Sequence, residues 1–322
     1  LLNQEQNTDR GIMKISLHSV TYSGFFYRGK SLSIKEIIAR VKEFGYDGVE
    51  VMAKRPHANP MDLDKEKRKE LRETIDSYQL EIPILAAYND FSGPDPLRRE
   101  LNLLYLSEVI KLAYDLGVDK VRVFAAGMKS VSPRLSYWDH WKLCKEGLKE
   151  MARFASDYGI TLGLQNHPPI IETYRDVIAM INEVNEENLK AIIDPELLIW
   201  TNDIDPLASD VGRRLREIYH EVKEYLIHVH VGDLIIRQGE LVWSPNGTMS
   251  MIGTRRLERV PLGKGLFGKI AKDFIEALKS IGYNGFISYE ICSPRYVNHE
   301  LVTLEVINEE VKNGAKYLRS LI

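Results

Sequence analysis

IHVHVGD, residues 227–233, is the stretch on which the fold turns. Strand alternation sends His228 and His230 to one side and Val229 and Val231 to the other; if the valines face a layer of helices, both imidazoles face inward. Three further runs end in the same manner. GLQNH (163–167) stops at two prolines with Gln165, Asn166 and His167 at its end, and AIIDP (191–195) ends at Asp194, where the following proline disfavours helix. FISYEI (286–291) sets Phe286, Ser288 and Glu290 against Ile287, Tyr289 and Ile291. In a parallel barrel the C-terminal strand ends converge on one face, so polar groups far apart in the chain meet there.

From Lys14 onward, short apolar, β-branched runs alternate with longer segments of 3.6-residue periodicity, the pattern of successive βα units. The spacing predicts strands near 14–19, 47–51, 81–87, 120–125, 161–166, 189–194, 226–231 and 285–291. Helices are predicted near 34–44, 64–78, 98–116, 137–158, 173–185, 205–224, 267–281 and 300–321. Eight of each define an α/β chain folded as one (β/α)8 TIM barrel over residues 13–322, with residues 1–12 as a disordered leader. A doubly wound open sheet is the alternative, but no strand is followed by a glycine-rich phosphate turn: GYDG (45–48) and GYNG (282–285) precede strands. The segment after strand seven, 234–265, is long and carries Trp243, Met249, Met251, Arg255 and Arg256. Such a loop reads as a lid over the active face or a subunit contact.

The formal charge of -3 offers no broad basic field, which argues against nucleic acid as partner. Two cysteines without CxxC spacing make no disulfide framework and suit a reducing cytoplasm. No apolar run reaches the roughly 18 residues of a membrane span. A homo-oligomer is compatible with a helical barrel exterior.

One imidazole (His230), two carboxylates (Asp194, Glu290) and the amide of Gln165 form a mixed O/N set suited to Mn²⁺, Mg²⁺ or Co²⁺, with Zn²⁺ an alternative. Each residue has a plainer role open to it: Asp194 as a cap, Gln165 and Asn166 as loop holders, His228 as a satisfied core group. Glu290, flanked by apolar neighbours, needs a cation, either a metal or an arginine such as Arg295. Glu50 ends strand two, His57 follows it, and Asp233 trails the histidine strand; these three and Asn166 are candidate substrate contacts. Arg122 reads as a barrel-floor ion-pair partner, and Tyr88 and Phe124 as ring-stacking or core groups.

These runs, with GVEV (48–51), PLGKG (261–265) and ALKSIGYNGFISYE (277–290), resemble the xylose-isomerase-like TIM-barrel superfamily from about Met13 to Leu321. The group includes sugar isomerases and epimerases, inosose dehydratases and, more distantly, endonuclease IV. The resemblance implies a divalent metal held by residues ending strands five, six and eight and a histidine of strand seven, here Gln165, Asp194, Glu290 and His230. Gln165 stands where the family usually has Glu, and an amide oxygen binds a hard ion but accepts no proton. The implied activity is proton abstraction next to a metal-bound carbonyl of a sugar or keto-sugar, with Glu290 as ligand and base and His167 as proton carrier. The rival outcome is a lyase performing elimination, as in inosose dehydratases or C-glycoside deglycosidases. A non-catalytic sugar-binding barrel is a further reading. The endonuclease IV role lacks ligands, since DPELL (194–198) offers no histidine after Asp194.

Overall fold

The computed structural model describes residues 13–127, 131–238, 241–243, 249–251 and 255–322; the leader expected at 1–12 lies outside them. Eight parallel strands close on themselves: Lys14–His18, Gly48–Met52, Leu85–Ala86, Lys120–Val123, Thr161–Gln165, Leu189–Ile192, Leu226–Val231 and Phe286–Tyr289, called here the first to eighth strands. Closure runs through Lys14↔Phe286 and Ser16↔Ser288, and a hydrogen bond of 2.6 Å joins the two serine hydroxyls across it.

Around this ring run the helices α1 (Ile34–Glu43), α2 (Lys65–Ser77), α3 (Pro96–Asp115), α4 (Tyr137–Ser156), α5 (Tyr174–Val184), α6 (Pro195–Trp200), α7 (Val211–Val222), α8 (Leu266–Ser280) and α9 (Leu304–Arg319). Their starts are written locally. Ser33 with Glu36, Ser136 with Asp139 and Thr173 with Asp176 form reciprocal capping boxes at α1, α4 and α5. Between ring and helices lies the apolar core, with Val49, Val51, Val121, Val123, Leu162, Leu164, Val229 and Ile287 fully buried. Each such side chain contributes about 1.5–3 kcal/mol by leaving water.

Three departures from the expected elements have local causes. The third strand shrinks to two residues because Pro83 has no amide for the ladder, leaving only a bridge from Glu81 to Gly48. The sixth strand stops at Ile192 and α6 follows at once, with Asp194 at its N-cap position. The long segment after strand seven is not an irregular loop where it is described. Leu234–Gln238 pairs antiparallel with Arg255–Arg259, and Leu241–Trp243 with Met249–Met251.

Candidate metal and catalytic site

His230 is the hub. On one side its Nε2 lies 2.9 and 3.0 Å from the two carboxylate oxygens of Glu50; on the other its Nδ1 lies 3.2 Å from Asp194 Oδ2. The backbone amide of His230 donates to Asp194 Oδ1 at 2.7 Å, so both oxygens of that aspartate address one residue. Asp194 makes no side-chain cap bond to α6. Its expected plain role as a cap is therefore not the one it plays. Burial opposes charge on His230, yet the two flanking carboxylates outweigh it and hold its pKa well above 6.5. Burial likewise pushes Glu50 up, and the imidazoles of His18 and His230 with the hydrogen bonds of His228 and His230 bring it well below its usual value.

Glu50, expected at the end of strand two as a substrate contact, lies within that strand, fully buried beside His230. His228 Nε2 meets it at 3.2 Å and Ser288 Oγ at 3.0 Å, the satisfied core role foreseen for it. His18, unremarked in the sequence, completes the floor: its ring stacks on His230 at 6.0 Å, and its Nε2 lies 3.6 Å from Glu50 and 3.9 Å from Glu290. Because the Val20 amide donates to its Nδ1, the proton is assigned to Nε2. Burial lowers its pKa to about 3, assisted by the charges of Arg122, His230 and His57 against the pull of Glu50.

Glu290 follows the eighth strand, its amide donating to Val231. Its carboxyl is 16% exposed, against 0% for Glu50, which places it at the mouth. Burial raises its pKa; His230 opposes the shift, while Asp194, Glu50 and Glu196 add to it. Arg295 is not its partner: that guanidinium binds Glu310 at 3.0 Å. His167 Nδ1 lies 2.6 Å from the Pro168 carbonyl, which only accepts, so this nitrogen carries the proton and Nε2 keeps a free lone pair. Burial lowers its pKa below 6.5.

Gln165, buried at the end of strand five, donates from Nε2 to Asp194 Oδ2 and lies 3.2 Å from His230 Nδ1. Asn166 is spent on the chain: its amide oxygen accepts from the Asp194 amide at 2.9 Å and its nitrogen donates to the Asp194 carbonyl at 3.4 Å. Asp233 has a similar duty. Its carboxylate accepts from the amides of Leu234, Gly265, Phe267 and Gly268 at 2.8–3.2 Å. Gly265, at the N-cap of α8, has no side chain to do this, so Asp233 caps that helix from a distance. His57 turns its Nδ1 to Ser19 Oγ at 3.1 Å, and its buried Nε2 has no hydrogen-bond partner among the described residues. The sequence also gave no hint of the pair Arg259–Glu196, whose guanidinium further donates to Ser293 and contacts Cys292. A Cβ at Gly232 would lie 2.2 Å from both members, so a side chain there would push the pair aside.

The donor chemistry fits a divalent cation. Asp194 Oδ2, His230 Nδ1 and the Gln165 amide converge within hydrogen-bond distance of one another, and turning the amide presents its oxygen in place of nitrogen. Glu290 stands in the electrostatic reach of the same two residues. Deeper in the barrel, Glu50, His228 and His230 bring ligand atoms within 4.8 Å of one another and also form a group able to hold a metal ion.

Across the barrel mouth the character changes. Tyr88 and Phe124 pack edge to face at 6.1 Å, and the Phe124 ring lies 4.6 Å from that of His167. Arg122, expected in an ion pair, instead lays its guanidinium 4.0 Å from the Phe124 centroid and 4.6 Å from that of Tyr88. Lys54 stands 3.5 Å over the Tyr88 ring.

Residues 38–321 match the family described as xylose isomerase-like TIM barrel, and the chain belongs to it. Among curated proteins it is 25% identical to a fructoselysine 3-epimerase of Shigella flexneri over 221 residues, 66% of this chain and 75% of that one. Among solved structures, the D-psicose 3-epimerase of Clostridium cellulolyticum H10 with D-tagatose superposes with a TM-score of 0.68 at 18% identity, covering 96% of this chain and 99% of that one. The IolI protein with a bound zinc atom gives the same TM-score, identity and coverage.

Proposed function

We propose that this protein is a divalent-metal-dependent isomerase or epimerase that moves a proton next to the carbonyl of a sugar or keto-sugar. The observation that carries the reading is the convergence of Asp194, His230 and the Gln165 amide beneath a partly exposed carboxyl, Glu290, in a barrel of this family. The relatives named above include 3-epimerases of fructoselysine and D-psicose and a protein of the same fold with a bound zinc atom, which supports the reading.

Gln165, Asp194, His230 and Glu290 are the residues proposed to hold the ion. The other group, Glu50, His228 and His230, has no exposed member, whereas the proposed set includes the partly exposed Glu290, and a catalytic ion needs an open position for substrate. When bound, the ion supplies Lewis-acid polarisation of the substrate carbonyl, manganese being the first choice and magnesium, cobalt or zinc the alternatives. Binding requires His230 to give up the Nδ1 proton that its two carboxylates retain. Glu290 is the proposed base. Its raised pKa brings it toward the range in which a carboxylate both takes and returns a proton. His167, with Nε2 free and Nδ1 locked on Pro168, is the proposed second carrier. Tyr88 and Phe124 form an aromatic wall beside His167. The two unpaired cysteines suit the reducing cytosol in which such chemistry on small sugars takes place.

A second reading is favoured by Gln165. An amide takes no proton, so enolisation by a single carboxylate followed by loss of a β-substituent gives a lyase. Incubation with ketoses, inososes and keto-glycosides in deuterated water, with Mn²⁺, Mg²⁺, Co²⁺ or Zn²⁺ in turn, separates the two by mass spectrometry. Mass gain by exchange supports isomerisation, and mass loss supports elimination. Sugar binding with neither change, in every metal, would reduce the protein to a binding barrel.

A further inference from the structure

Resting on the sugar-directed reading above and deepening it, we infer that Lys54 and Arg122 form an anion-binding half of the pocket, so that the substrate is a sugar carrying a carboxylate or a phosphate. Arg122 is 2% exposed, projects from the fourth strand, and has Nε and Nη1 buried without any hydrogen-bond partner. No acidic side chain pairs with it or with Lys54 among the described residues. A buried guanidinium is costly unless its donors are used. The rings of Phe124 and Tyr88 compensate for the charge but accept none of its in-plane N–H groups. With no acid among the described residues to balance it, the charge is the natural counterpart of an oxyanion, which would approach the Nη2 edge, since Nε and Nη1 are sealed.

The position is right for a substrate group. Arg122 lies against Phe124, whose ring is 4.6 Å from that of the proposed proton carrier His167, and against Tyr88, whose hydroxyl is 3.4 Å from His18 Nε2. Lys54 follows the second strand and shares the Tyr88 ring with Arg122, so two cations gather around one aromatic wall. The carboxylates Glu50, Asp194 and Glu290 all surround His230 on the other side. The pocket is thus polar end to end: a keto-sugar oriented by this field turns its carbonyl toward His230 and Glu290 and its anionic end toward Tyr88. Burial first, and the charge of Arg122 second, disfavour the Lys54 ammonium, and a bound anion would offset both.

The test is calorimetric binding of three matched keto-sugars, D-fructose, D-fructose 6-phosphate and D-fructuronate, to the full chain with Mn²⁺ present. One of the two anionic sugars should bind at least tenfold more tightly than D-fructose, and which one it is distinguishes phosphate from carboxylate. Lys54→Gln and Arg122→Gln should each remove most of that preference. Lys54→Gln keeps the question answerable if the arginine variant does not fold, as judged by melting temperature. Equal affinity for all three sugars, no measurable binding of either anion, or a preference that survives Lys54→Gln overturns the inference. Because the readout is binding, it stands apart from turnover: anion preference without deuterium exchange refutes the isomerase reading alone, and exchange into D-fructose without anion preference refutes the pocket alone.

Discussion

The two sides of the barrel mouth settle their buried charges in opposite ways. Around His230 nearly every charged atom has a protein partner: the imidazole lies between Glu50, which reaches across from strand two, and Asp194, while Arg259 meets Glu196 and Asp233 is filled by four backbone amides. Beyond the ends of strands two to four, Lys54 and Arg122 face aromatic rings and, among the described residues, no acid. Protein can be arranged to satisfy a charge internally or to leave it for a ligand, and the second arrangement costs more stability in the empty state. The first half reads as machinery already assembled by folding, and the second as a recognition surface completed by what it binds.

Breaking the assembled half should have the largest effect. His230→Ala removes the charge between two buried carboxylates and should cost about 3–5 kcal/mol of stability, measured by urea unfolding, while turnover falls to background. Unchanged stability would mean that Glu50 and Asp194 do not depend on the imidazole. Glu290→Gln tests chemistry with less disturbance, because that side chain sits at the mouth. Its kcat should drop by about 10²–10⁴ with the melting temperature nearly unmoved, and a kcat within a factor of three of the parent would remove Glu290 from the proton-transfer role.

The assembled half was also the half most legible in the sequence. HVH, AIID and GLQ end strands whose alternation and flanking prolines fix which side chains point inward, so His230, Asp194 and Gln165 could be brought together on paper. The barrel followed for the same reason, since the period of each element is a local property. What escaped was pairing between distant elements. His18 ends an ordinary first strand, and only closure of the ring, through Ser16↔Ser288 and His18↔Glu50, carries it to the floor. Asp233 reads as a candidate substrate contact because sequence shows its neighbours but not the amides of α8 that its carboxylate accepts from. Arg122 was assigned an ion pair on the sound rule that buried charges find partners; its lack of one is visible only in three dimensions.

That lack gives a prediction of opposite sign to His230→Ala. Arg122→Met keeps the volume, retains contact with Phe124 and Tyr88, and removes a buried charge with unused donors. Stability should rise by about 1–2 kcal/mol while affinity for an anionic sugar falls. A loss of stability would show that the ring contacts alone justify the arginine. On the metal side, Gln165→Glu adds a carboxylate beside Asp194, which should lower the melting temperature without metal and raise Mn²⁺ affinity by roughly tenfold. Thermal melts with and without Mn²⁺ should therefore lie further apart than in the parent, and an unchanged gap would argue against Gln165 as a ligand.

The smallest effect sharpens the recognition half by titration. Burial, with the charge of Arg122 beside it, lowers the pKa of Lys54 from 10.5 to about 8. The ammonium is the form that attracts an anion, so it is present below that pKa and lost as pH rises through it. Affinity for D-fructuronate, whose carboxylate stays ionised throughout, should hold steady from pH 6 to 7 and weaken several-fold by pH 9. A bound anion favours the charged lysine and moves the decline upward. D-fructose should show no such decline, and Lys54→Arg should abolish it, because a guanidinium stays charged over the whole interval. A decline that persists in Lys54→Arg would point to a different titrating group and would remove Lys54 from the anion site.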